Sequence, residues 1–143
     1  MVGMGNVDGL RVQLAEAAEA AEVLTAGWDI FAFIAEAAGR LAAESGELFP
    51  ALMSVAVAAA EGRDAVGFAP SLPPGQHAAD EEAPAEPDTL RALGAMSDIL
   101  PALASQMREL AQPGAEAGDR QACRHAAGQA DLVGELLAAV TAW

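Results

Sequence analysis

Apolar positions along this chain recur at spacings of three and four and seldom alternate, so the pattern predicts helices throughout. Leu10, Leu14, Ala17, Ala21 and Leu24 share a face and predict a first helix near 9–24, N-capped by Asp8 after a Gly-rich 1–7 expected to fray. Glu16, Glu19 and Glu22 lie on its other face and read as a solvated side. A second helix starts either at a Thr25 cap or by absorbing Gly27 into one long helix from 9 to 43. Trp28, Ile30, Phe31, Phe33, Ile34 and Leu41 cover more than one of its faces, leaving Asp29, Glu36 and Arg40 as a narrow polar strip. A helix apolar over most of its circumference must be central in a bundle or buried in an interface. The strip is assigned to solvent, with a polar pocket or an interface as the alternative.

Ser45-Gly46 breaks the pattern, and a third helix is expected from Glu47 to Glu61, closed by Gly62. Pro50 falls in its first turn, where backbone N–H groups lack intrahelical partners. Leu48, Leu52, Val55 and Ala59 form one stripe, and Phe49, Met53 and Ala56 another. Residues 63–69 allow one more turn ending at Phe68. Five prolines and a cluster of acids then mark 70–88 as an extended connection. A fourth helix, capped by Asp88, carries Leu90, Leu93, Ser97, Leu100, Ala104 and Met107 in one seam, with Pro101 expected to kink or split it. Pro113-Gly114 ends it. The last helix, about 116–141, sets Cys123, Ala126, Ala130, Val133 and Leu137 against Arg120, Arg124, Asp131 and Glu135, and Trp143 closes the chain.

The expected fold is therefore all-α, a single domain over 1–143 built as a four- to five-helix bundle. Helices 1–3 occupy 8–62, a loop or linker occupies 63–88 with its Pro-rich acidic part at about 70–88, and helices 4–5 occupy 89–143. The stretch 26–62, with Trp28 and three of the four phenylalanines, is its expected centre.

Composition sharpens this. Alanine supplies 37 of the 143 residues, so cohesion must come from close helix approach and a few large side chains. The formal net charge is −14, with seven arginines and no lysine. That field repels phosphate backbones and anionic lipid and attracts basic proteins, so neither nucleic acid nor membrane is an expected partner. No segment is apolar and long enough for a membrane span, and no signal peptide is expected at the N-terminus. The lone Cys123 excludes an internal disulfide and makes a reducing cytoplasm the expected location. The alanine-rich, lysine-free usage resembles that of a GC-rich bacterial coding sequence, an association rather than a physical deduction.

Chemical motifs are few. Neither His77 nor His125 has a glutamate three residues before it, so Glu-x-x-His pairs of a di-iron bundle are absent. HExxH, the P-loop and a strand-borne GxGxxG are absent too. Cys123 and His125 are two apart on a helix and point away from each other, which disfavours a dyad; Cys123 reads as a core residue. No catalytic, cofactor-binding or metal residue is assigned.

The first functional reading is a non-catalytic acidic protein-interaction module, self-associating through the second or third helix and binding a protein partner, which the charge allows to be basic. A second is an all-α protein holding a small apolar ligand among Trp28, Phe31, Phe49, Met53 and Met96 or Met107, with Asp29, Glu36 or His125 as polar contacts. A third is a helical enzyme using scattered acids and His125. Interface or pocket candidates are Trp28, Asp29, Phe31, Ile34, Glu36, Arg40, Phe49, Met53 and His125.

Overall fold

The computed structural model describes residues 3–44, 46–73, 89–113 and 116–141. Among them the chain forms five α-helices and no strand: α1 (Gly3–Glu16), α2 (Ala20–Glu44), α3 (Phe49–Gly67), α4 (Thr89–Leu110) and α5 (Ala117–Thr141). The all-α class is as the pattern predicts. His77, Asp88, Trp143 and most of the expected Pro-rich linker lie outside the described residues.

Helix boundaries depart from the pattern in several places, each for a local reason. α1 already includes Asp8, which pairs with Arg11 at 3.0 Å instead of capping. The break between α1 and α2 falls at 17–19, not at Thr25 or Gly27. There the Glu22 carboxylate accepts the N–H groups of Ala18 (2.8 Å) and Glu19 (3.1 Å), a reach back over the helix start that closes α2's N-terminus. Those two donors hold the Glu22 carboxyl below its ordinary range. Thr25 lies inside α2 and donates its hydroxyl to the Ala21 carbonyl at 2.8 Å. α3 begins with Phe49 and Pro50 and runs through Gly62 to Gly67. α4 continues through Pro101 as one helix, with the proline ring on its exposed side.

Gly62 is a packing residue and not a stop. A Cβ there would lie 2.5 Å from Cε1 of the fully buried Phe31 ring, so the missing side chain lets α3 close onto α2. Gly27, one turn before Phe31 on the same face of α2, lies against the flexible end of Met107 of α4, where a Cβ would require that side chain to shift.

α2 packs against α3 and α4, and α5 also packs against α3 and α4, so four helices form a ring in the order α2, α3, α5, α4. Short connections make α2–α3 and α4–α5 antiparallel hairpins. Ser71, just past α3, is bonded to Asp119 at the start of α5, so α3 and α5 are antiparallel as well. All neighbours around the ring therefore alternate in direction, and the long 68–88 connection carries the chain between the diagonal helices α3 and α4. α1 lies across α2 and α4. α2 thus meets three helices, which its wide apolar circumference requires.

The interior is built from Leu24, Ile30, Phe31, Ile34, Leu52, Leu93, Met96, Leu100, Leu103, Met107 and Leu137, all fully buried. Asp29, expected at the surface, is buried instead: α1 covers it, and Gln13 donates Nε2–H to its carboxylate at 3.1 Å. No described helix is long and apolar enough to cross a membrane.

Two glycine substitutions separate packing from propensity. Gly62→Ala gains roughly 1 kcal/mol of helix propensity, yet it drives a methyl into a fully buried ring that would have to shift, at about 1–3 kcal/mol. We expect net destabilisation. Gly128→Ala, exposed in the middle of α5 with nothing within 4 Å of its Cβ, is expected to stabilise by about 0.5–1 kcal/mol. Urea denaturation of both variants beside the parent chain measures the contrast.

Candidate interaction surface

Six large apolar side chains among the described residues are exposed, and three of them, Phe49, Val57 and Phe68, belong to α3 or its C-cap. Phe49, Met53 and Val57 are spaced four apart and share one face of the helix. That face points out of the ring, because α3 touches only α2 and α5. From Phe49 to Ala60 the sequence has no charged residue. The outer surfaces of the other ring helices differ: α2 shows Glu22 and Glu36, α4 Arg91, Asp98 and Glu109, and α5 Arg124, Asp131 and Glu135.

The adjoining edge of α2 is marked by Trp28, since the Arg63 guanidinium of α3 lies over its indole at 5.8 Å. Ala32, Ala35, Gly39 and Ala43 follow Trp28 at helical spacing and lie on the same side. All four are half-buried or exposed. Side by side, the two helices therefore present large apolar side chains on α3 and a track of alanines and a glycine on α2. Glu36 and Arg40 stand beside the track and pair with each other at 3.4 Å.

A second feature occupies the end of α3. Phe68 is 82% exposed, the most open large apolar side chain among the described residues. It separates two open clefts. One, of about 310 Å³, is lined with Trp28, Arg63, Asp64 and Gly67; the other, of about 580 Å³, with Ala65, Gly118, Gln121, Ala122, Arg124 and His125. Behind Phe68 the chain is fastened by Asp119, which is buried and accepts both the backbone N–H of Ser71 (3.0 Å) and its hydroxyl (2.5 Å). The Asp119 N–H donates to Glu116 Oε1 at 3.1 Å, an N-cap bond that orders the first turn of α5. One turn further on, burial and the Asp119 carboxylate push the Cys123 thiol up to about 11, so at neutral pH it is a small, uncharged core group.

The nine candidates from sequence do not converge on one site. Phe31 and Ile34 are core residues, and Asp29 is held beneath α1. Trp28 and His125 stand on opposite sides of Phe68. Phe49 and Met53 lie near the other end of α3, on its outer face, with Glu36 and Arg40 at the rim of the α2 track. Cys123 is buried while His125 is exposed, so they form no dyad. Among the described residues, no group of three or more His, Cys, Asp or Glu is placed to hold a metal ion. Sequence reasoning missed Val57, Phe68, the α2 track and the Ser71–Asp119 fastening. The spacing of Phe49, Met53 and Val57 within an uncharged stretch was the available signal for the first of these. Ser71 and Asp119 are 48 residues apart, and nothing local links them.

Comparison with models of known protein families, with curated proteins and with solved structures finds no match in any of the three.

Asp119→Ala strands the Ser71 N–H and frees the start of the 68–88 connection. Ser71 is half-buried, and hydrogen bonds to a charged group contribute about 1.5–3 kcal/mol. The midpoint of thermal unfolding should fall accordingly, whereas Glu135→Ala, on the exposed side of α5, should leave it unchanged.

Proposed function

We propose that this chain is a non-catalytic, acidic helical interaction module that self-associates and binds a protein partner, with the reducing cytoplasm as its setting. The observation that carries this reading is the concentration of exposed, uncharged apolar surface on α3, an element with helices on only two sides. Contiguous exposed apolar surface is costly in water and marks contact sites. The formal charge of −14 adds a long-range attraction for basic partners that can steer encounter without fixing the contact itself.

A ligand cavity lined by the aromatic and methionine side chains has less support. Phe31 is packed onto Gly62, Phe49 is exposed, and Met53 is half-buried at the edge of the core, so the three do not line one cavity. An enzymatic role for His125 rests on no partner group: it lines an open cleft with Arg124 and Gln121, away from the buried Cys123.

Sedimentation equilibrium at micromolar concentration tests the proposal. The expected particle mass is twice the chain mass of 14.5 kDa. A monomer mass persisting into the tens of micromolar would remove self-association from the account.

A further inference from the structure

Phe68 is open to solvent beside the start of α5, and the chain on both sides of it is fixed. Its own N–H closes the last turn of α3 on the Ala65 carbonyl at 3.2 Å, and Ala69 next to it is buried. Pro70 then lies so close to α5 that a Cβ on Gly118 would stand 2.8 Å from the proline Cγ, and Ser71 is bonded to Asp119. A large apolar ring is thereby held out as one wall of the cleft of about 580 Å³, whose α5 side carries Gln121, Arg124 and His125. That volume falls in the range of small-molecule sites.

The lining of this cleft holds no acid. In a chain with 21 acidic residues, Arg11, Arg40, Arg63 and Arg108 each pair with a carboxylate. Arg124 and His125 pair with none among the described residues. Arg120, one turn before Arg124, has no such pair either, and its buried Nε lacks a hydrogen-bond partner. Like charges one turn apart on a helix repel, so this part of α5 keeps a positive potential that the fold leaves in place. The acids at the start of α5 are engaged elsewhere: Glu116 accepts the Asp119 N–H, and Asp119 holds Ser71. On α3, Asp64 pairs with Arg63, and the exposed Glu61 lies outside the lining.

We infer that this cleft binds a small molecule carrying a carboxylate or phosphate on a flat apolar group, with the flat group stacked on Phe68 and the oxyanion held by Arg124 and His125. A guanidinium offers two parallel N–H donors that match either oxyanion. An imidazole N–H donates whether or not the ring is charged, and Gln121, one turn earlier, adds an amide donor. Stacking on an exposed aromatic ring supplies the apolar part of the contact. The net charge of −14 opposes a polyanion along its whole length, but a single oxyanion in the cleft feels chiefly the nearby cations, because charges beyond a Debye length of about 10 Å at 0.1 M salt are screened. The site is independent of the self-association proposed above.

The test titrates phenyl phosphate and phenylacetate into the full chain at physiological salt and follows the backbone amide NMR signals. We expect saturable shifts at 65–68 and 118–125 with both probes at millimolar concentration. Inorganic phosphate, which lacks the ring, and benzyl alcohol, which lacks the charge, should each bind at least tenfold more weakly. Phe68→Ala should bring phenyl phosphate down to the level of inorganic phosphate, and Arg124→Gln should weaken both anionic probes at least tenfold. Arg91→Gln, which removes an exposed arginine of α4, should change neither. All three replaced side chains are exposed, so the variants should keep the helicity of the parent by circular dichroism. The tighter of the two probes identifies the oxyanion. Shifts that do not saturate, equal affinity for inorganic and phenyl phosphate, or an Arg91→Gln effect as large as that of Arg124→Gln would each overturn the inference.

Discussion

The contact between the Phe31 ring and the bare backbone of Gly62 governs much of this structure. An alanine-rich chain has little bulk to bury, so its helices must come close for the interior to be dense. Gly62 permits that approach between α2 and α3, and Gly27 lies where α2 meets Met107 and Leu103 of α4. The consequence is that the few large side chains, Phe31, Ile34, Leu52 and Met107 among them, meet at the centre. The same contact sets the height of α3 along α2.

The distribution of charge separates what is inside from what is offered. Acids on the solvent sides of α2, α4 and α5 keep the bundle apart from other acidic molecules. On α3 the exposed acids Glu61 and Asp64 lie toward its C-terminal end, and the stretch from Phe49 to Ala60 has none. Its apolar row is longer than isolated surface hydrophobics require, and α1 lies on the opposite side of the ring, across α2 and α4, where it shields Asp29 but leaves α3 open. The placement of one short helix therefore determines which face of the bundle stays unpartnered.

Much of the fold was legible in the sequence, because helical periodicity and alanine content act locally. The wide apolar circumference of α2 correctly implied several neighbours. Boundaries were less legible where a side chain acted over a turn: Glu22 closes the start of α2 from within the helix, and Thr25 spends its hydroxyl on Ala21. Gly62 looked like a stop since a glycine that ends a helix and one that admits a ring look alike in sequence. Asp29 looked exposed because the helix covering it lies earlier in the chain. At the surface, Phe49 and Met53 were identified as candidates together with core residues. Only the ring order shows that their side of α3 faces out, and only the contact of Arg63 with Trp28 shows on which side of α2 the residues spaced from Trp28 lie.

The account's central claim is that an acidic chain associates through an uncharged apolar seam. Its most direct measurement is the salt dependence of the dimer dissociation constant at fixed pH. Raising salt screens the repulsion between two chains of charge −14 and leaves an apolar contact intact, so association should tighten between low and high sodium chloride. Association that weakens as salt rises would mean that charge pairs hold the copies together, and would contradict the account.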